Sequence, residues 1–311
     1  MGHHGGAGMR TNVAVCFLLA VVAAAAPFAV SDFWVFVLIE AFVYSLYAVT
    51  FNLLLGYGGM IAFGHAAFFG IGAYTLAVLL KKAHLPILLA AGFAPIMAAI
   101  CGAVVAYFCL RLRGIYLGML TFAFQMLAYT VVFKWYSLTG GDDGLSGVTF
   151  SGPLSSPLGF YYLTLIVISA AIYVLWRLVN SPFGAALKAQ RSNDNKSLAI
   201  GINTGRVRWV AFVVAAFFAG LAGALFALAN QSVFPGWLDW TSSAVPIVMT
   251  IFGGMQFFIG PIIGAVIYVI LQTVLTGVTE YWALVMGLII IAVVVALPGG
   301  VMSLFSRSPR A

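Results

Sequence analysis

The chain has 311 residues, of which 64% are hydrophobic and 7% charged, with a formal net charge of +7. Soluble domains carry about 25% charged residues, so the composition excludes an ordinary water-soluble fold and points to an integral membrane protein. The positive charge does not mark a nucleic-acid partner, because the bases stand at the ends of apolar runs and not on one aromatic-interleaved face.

Several apolar runs reach the ~20 residues that a helix needs to cross a ~30 Å hydrocarbon core, and the alternation of a membrane barrel is absent. The expected fold class is all-α: a polytopic transmembrane helical bundle of about 10 spans, roughly 8 to 10 according to whether broken, glycine-rich helices cross or re-enter. Residues 1–10 read as a glycine-rich flexible leader, 11–304 as one transmembrane domain and 305–311 as a tail. The His3-His4 pair is not read as a metal site, and Met9 is an alternative start. The first apolar stretch, 11–30, ends in Ala23-Ala24-Ala25-Ala26 and superficially resembles a signal peptide with a small-residue cleavage site. Retained or removed, it leaves the orientation of the rest unchanged.

A second span, near 33–55, carries Glu40, with Tyr44 and Tyr47 following at helical spacing. A carboxylate inside a span costs about 2.5–3.5 kcal/mol near the bilayer centre and should face protein or water. Glu40 is therefore either a hydrogen-bonded helix contact close to the outer surface or a functional group. Next comes NLLLGYGGMIAFGHAAFFGIGAY, 52–74, in which Gly56, Gly58, Gly59 and Gly64 loosen a helix while Gly70 and Gly72 permit close approach. One reading is a broken helix lining a substrate pathway, with Asn52, Gly59, Gly64 and His65 on it. The other is a tight turn followed by a small-residue packing face.

A third span ends at Lys81-Lys82, and a fourth covers about 85–110. The fifth, near 115–133, places Thr121, Gln125 and Tyr129 at i, i+4 and i+8, a polar stripe that belongs inside the protein. It either lines a pathway or joins helices. A turn-rich loop, 134–159, precedes a sixth span near 160–176, and the polar segment 178–208 leads to a seventh near 209–229. The region 242–278 reads as two spans split near Gly253-Gly254-Met255, and a last span covers 282–297. Gly253-Gly254-Met255 echoes Gly58-Gly59-Met60, but both copies fall on the same side, so the echo does not argue for an inverted repeat.

The segment 178–208 is too polar for lipid and carries Lys188, Arg191, Lys196, Arg206 and Arg208 against one acid, Asp194. With it in the cytoplasm, only Lys81, Lys82 and Lys134 of the fourteen bases lie outside, as the positive-inside rule requires, and both termini are cytoplasmic. Trp34, Trp135, Trp237, Trp240 and Trp282 then form an outer aromatic belt.

No GxxxxGK[ST] loop exists, since none of the five lysines follows a glycine, and HExxH and CxxC are absent. Cys16, Cys101 and Cys109 lie inside apolar runs and read as packing residues. No catalytic residue, metal site or cofactor is expected in this chain, and it is not read as an enzyme. It moves something, transduces something or serves as a subunit. One such reading is an ATP-independent carrier or channel for a small polar solute, for which Glu40 alone supplies intramembrane charge; another is a structural subunit beside a pathway-forming partner.

Six stretches carry a family resemblance: 52–80 (NLLLGYGGMIAFGHAAFFGIGAYTLAVLL), RLRGIYLGMLTFAFQ (111–125) with SLTGGDDGLSGV (137–148), 181–228 beginning SPFGAALKAQRSNDNKSLAIGINTGRVR, and GGMQFFIGPIIGAVIY (253–268) with LPGG (297–300). In that order they resemble the LivM-type permease subunits of branched-chain amino acid ABC transporters. The resemblance implies an importer in the bacterial inner membrane for amino acids such as leucine, isoleucine and valine, with amides or urea as related cargoes. It implies as partners a second, LivH-like permease, two cytoplasmic ATPases that bind ATP and Mg, an extracytoplasmic substrate-binding protein and membrane lipid, and no nucleic acid. It also gives the polar segment a role as the helix that docks into an ATPase cleft.

On that reading Ser181 is the N-cap and Pro182 the first helical residue, Phe183, Gly184, Leu187, Arg191 and Asp194 belong to the coupling surface, and Gly201 ends it. The alternative is an amphipathic loop resting on lipid headgroups. Ala185, Lys196-Ser197 and Gly299 depart from the usual pattern, which puts the choice of ATPase in doubt and leaves the docking surface intact.

Overall fold

The computed structural model describes residues 26–28, 30–149, 156–297 and 299–304. The leader, most of the expected first span and the tail lie outside the described residues. The chain is all-α: among the described residues seven helical stretches are long and apolar enough to cross a membrane, and two shorter apolar helices accompany them. Helices α1 (Asp32–Asn52), α2 (His65–Lys81), α3 (Ile87–Cys109), α4 (Ile115–Lys134) and α5 (Pro157–Val179) precede two short ones, α6 (Pro182–Ser192) and α7 (Asp194–Ala199). Then follow α8 (Thr204–Asn230), α9 (Trp240–Gly253), α10 (Gly260–Val278) and α11 (Trp282–Ala296). The expected split of 242–278 is thus present as α9 and α10.

Helix α8 is the central post, packed against α3, α2 and α1. In lipid, apolar side chains gain nothing by leaving one hydrocarbon for another, so close backbone approach decides which faces pair. The sequence meets this with small residues: Ala90, Ala94, Ala98, Gly102 and Ala106 recur every fourth position of α3 and are buried, with Gly102 against Ala216 and Ala98 against Gly220 of α8. The opposite face of α3 holds the large exposed side chains Leu88, Phe93, Ile96 and Ile100. Helices α2 and α8 touch by backbone: a Cβ on Gly72 would stand 2.1 Å from the Gly220 carbonyl oxygen, and one on Gly223 would stand 1.9 Å from that of Phe69.

Two features place the functional residues. At one end of the bundle α5 turns into α6 and α7; at the other, β1 (Leu145–Ser146) pairs antiparallel with β2 (Ser232–Val233). From β2 the chain does not simply cross the surface to α9. A 3₁₀ turn, Pro235–Leu238, runs back between α2 and α4, burying Leu238 against Gly70. Trp237, expected in an aromatic belt, instead turns inward onto Phe226 (ring centroids 4.7 Å apart) and Phe69 (6.4 Å).

Candidate functional site

The polar segment folds as α6 and α7 on the end of α1. Pro182 opens α6, where its fixed φ fits and its missing N–H is no loss. Ser181 holds the N-cap position, yet its hydroxyl donates to the Leu178 carbonyl (2.6 Å), so it closes α5 and leaves α6 without a side-chain cap. Gly184 is forced by the tight α5–α6 turn, since a Cβ there would lie 2.0 Å from the Val179 carbonyl oxygen. Leu187 and Gln190 are buried and Phe183 half-buried, which leaves Pro182, Ala185, Lys188 and Ser192 as the open stripe, with Arg191 exposed as well.

Beneath α6, the end of α1 unwinds into a π turn, Leu53–Tyr57, a geometry that recurs at functional sites. The Arg191 guanidinium donates to the Gly56 carbonyl, and its alkyl chain lies over Gly59, where a Cβ would meet Cγ at 2.8 Å. The Lys188 ammonium sits 5.1 Å from the Tyr57 ring centroid. Asn52 is buried at the same turn, its Oδ1 over Gly56 and without a hydrogen-bond partner among the described residues. The second glycine break touches the first, because a Cβ on Gly56 would also meet the Met255 carbonyl oxygen at 2.6 Å.

Helix α7 is capped by Asn193, whose Oδ1 accepts from the Lys196 N–H (2.9 Å). Asp194 faces back into its own subunit, pairing with Arg208 of α8 (2.7 Å) and Arg113 of the α3–α4 loop (2.5 Å). Sequence reasoning missed both arginines, although a lone acid in a basic segment was a signal to seek them. Gly201, at φ +86°, makes a left-handed turn that other residues adopt at a cost, and no atom lies within 4 Å of where its Cβ would be. Leu198 and Ile200 before it are 50% and 75% exposed, an apolar patch beside the open stripe of α6.

The residues assigned to a pathway divide into two groups. Asn52 and Gly59 lie at the π turn under α6. Gly64, His65, Thr121 and Gln125 meet deeper in the bundle, where α2 and α9 both begin. Gln125, midway along α4, donates from Nε2 to the Leu238 carbonyl (2.9 Å) and accepts on Oε1 from Ser243 (2.8 Å). Ser243 Oγ in turn accepts from the Ala66 N–H (3.0 Å), satisfying a donor at the start of α2 that no helix carbonyl can meet. Gly64 lies against the Thr121 carbonyl, and the Thr121 hydroxyl donates to Gly118 (2.8 Å).

His65 is fully buried, stacked on Tyr47 (5.3 Å) with the Phe51 and Phe68 rings edge-on to it. Thr50 gives its proton to the Tyr47 carbonyl (2.7 Å), so it accepts from His65 Nε2 (2.9 Å) and assigns that nitrogen the hydrogen. Nδ1 is then a buried acceptor with no partner among the described residues. Sequence reading missed Thr50 and Ser243, single hydroxyls within apolar runs whose partners lie far along the chain. This node is close-packed, and its groups join helices in the state described. Among the described residues, no group of three His, Cys, Asp or Glu side chains is placed to hold a metal ion.

Comparison with known proteins adds the family. A family model described as branched-chain amino acid transport system / permease component matches residues 33–294. The high-affinity branched-chain amino acid transport system permease protein LivM of Escherichia coli (strain K12) is 27% identical over 311 residues, covering 91% of this chain and 73% of that protein. The protein of the same name from Salmonella typhimurium is also 27% identical, over 92% of this chain and 74% of its own length. The ribose import permease protein RbsC of Bacillus subtilis (strain 168) is 27% identical over 79% of this chain and 83% of its own. No solved structure matches the chain significantly. The match over most of the apolar bundle, from α1 into α11, makes this chain a member of the family of permease components of branched-chain amino acid transport systems.

Proposed function

We propose that this chain is one permease subunit of an ABC importer in a bacterial inner membrane, carrying amino acids with branched aliphatic side chains. The observation that carries the reading is the seating of α6: the Arg191, Leu187 and Lys188 side chains grip the π turn, and the stripe through Pro182, Ala185, Lys188 and Ser192 stays open. A partner pressing on that stripe pushes directly on α1, which packs against α5, α8, α9 and α10. ATP and Mg belong to two such ATPase partners on the cytoplasmic side. A second, LivH-like permease completes the membrane part, and a binding protein delivers cargo at the β1/β2 end. Differential contact of the ATPases with two states of the bundle supplies the coupling.

The test is reconstitution of the chain with its permease and ATPase partners in proteoliposomes. ATP-dependent leucine uptake, lost when the ATPases are omitted, is expected; equal uptake without them would refute the coupling. The relation to a ribose import permease favours one second reading, a monosaccharide cargo. Excess ribose that displaces labelled leucine, or is itself accumulated, would establish it.

A further inference from the structure

On the side of α1 away from α8, a cleft of about 370 Å³ opens between α1 and α10. Both walls are helical stripes with the same spacing. Phe33, Phe36, Val37 and Glu40 come from α1, and Val269, Gln272, Thr273 and Thr276 come from α10. Below the cleft the two helices close on Ala41, Ala48, Ala265 and Val269; above it they part, which makes the cleft.

The lining is rich in hydrogen-bond acceptors. Glu40 has neither hydrogen bond nor ion pair among the described residues. The Thr273 hydroxyl donates to the Val269 carbonyl (2.9 Å) and that of Thr276 to the Gln272 carbonyl (2.8 Å), so both offer lone pairs to the cleft. Thr276 and Gly277 stand in the last turn of α10, where free carbonyls concentrate negative partial charge. Gln272 carries the one side-chain amide among them. The partial charges of the α10 C-terminus and of the α1 N-terminus, where Phe33 lies, oppose each other, so the Glu40 carboxylate and the two committed hydroxyls decide the preference and favour a cation. Phe33 and Phe36 at the rim add aromatic faces, which also favour cations.

We infer that the α1–α10 cleft binds a primary ammonium group carried on an apolar body, with Glu40 as its counter-ion. Two sources supply that chemistry: an aliphatic amino acid, or the ethanolamine headgroup of a membrane lipid. The cleft stands apart from the ATPase-facing end, so the site does not depend on the coupling described above. Only the amino-acid source rests on the proposed transport function.

The test uses the full chain in nanodiscs of phosphatidylglycerol, which has no ammonium. In one arm, labelled leucine is bound and competed with 3-methylbutylamine, which keeps the ammonium, or with 4-methylpentanoate, which keeps only the carboxylate. In the other, native mass spectrometry follows retention of added phosphatidylethanolamine. Displacement by the amine alone, weakened about ten-fold or more in Glu40→Gln, supports the site with an amino acid as occupant. Retention of phosphatidylethanolamine that Glu40→Gln abolishes, without leucine binding, supports it with lipid as occupant. Gly277→Leu, whose Cβ meets no atom within 4 Å, should narrow the cleft and weaken either ligand without disturbing the core. Absence of binding in both arms, equal competition by the carboxylate, or binding unchanged in Glu40→Gln overturns the inference. Binding is read without ATP or partner subunits, so its failure is separable from failure of coupled uptake.

Discussion

Gln125 holds two distant backbone runs with a single amide, since its Nε2 reaches the Leu238 carbonyl and its Oε1 receives Ser243. Gln125→Leu removes both bonds and leaves a buried carbonyl unmet, which should cost about 1–2 kcal/mol and lower the thermal unfolding midpoint of the purified chain. Gln125→Glu, if ionised, buries a carboxylate against the Leu238 carbonyl with no donor for it, so at neutral pH its midpoint should fall at least as far as that of leucine; midpoints equal to wild type in both variants would refute the two-bond account. Gly201 poses a different problem, because space around it is open and only its backbone is constrained. Gly201→Val therefore strains the turn by about 1–2 kcal/mol, with Gly201→Asn milder. The expected outcome is reduced leucine uptake per ATP hydrolysed, larger for valine, at an unchanged unfolding midpoint of the membrane bundle. Normal uptake in the valine variant at normal abundance would count against a coupling role for the turn.

At the scale of elements, the joint between α6 and the end of α1 should transmit force in proportion to the quality of each contact. Arg191 donates to a backbone carbonyl, whereas Lys188 has a cation–π contact worth about 0.5–1 kcal/mol at an exposed site. Arg191→Met should thus lower ATP-coupled uptake more than Lys188→Met, and the reverse order would show that α6 is gripped elsewhere. The two parts of this joint were unequally legible in the sequence. The glycines of 56–64 and the start at Pro182 announce themselves through local backbone chemistry, which composition reports directly, whereas the turn at Gly201 was placed by the family resemblance. That Arg191 would fold back onto Gly56, that Asp194 would face Arg113 and Arg208, and that Ser181 would bond Leu178 depend on which elements meet, and helical periodicity carries no such information. The same limit explains why Thr121 and Gln125 were read as an inward stripe while Ser243 and Thr50, which share the buried node, were passed over.

At the scale of the whole molecule, orientation and the meeting of the two glycine breaks belong to one question. Gly56 lies against Met255, so α1, α6 and the α9–α10 link share one end, and the bases Arg113, Lys188, Arg191, Lys196 and Arg208 lie at that end. Lys81 and Lys82 lie at the other, donating to the Ser146 and Ser137 carbonyls beside the β1/β2 pair. The excess of bases at the α6–α7 end predicts that this end faces the cytoplasm. Most of the span expected at 11–30 lies outside the described residues, and the prediction does not depend on it, because the charge asymmetry arises within α1–α8. Lys196→Cys in α7 and Asp142→Cys in the loop before β1 are both exposed positions on opposite ends. In intact cells a membrane-impermeant maleimide should label Asp142→Cys and spare Lys196→Cys, with the pattern reversed in inside-out vesicles. The opposite pattern would place α6 and α7 beyond reach of a cytoplasmic ATPase and would refute coupling through them, whatever the uptake measurements showed.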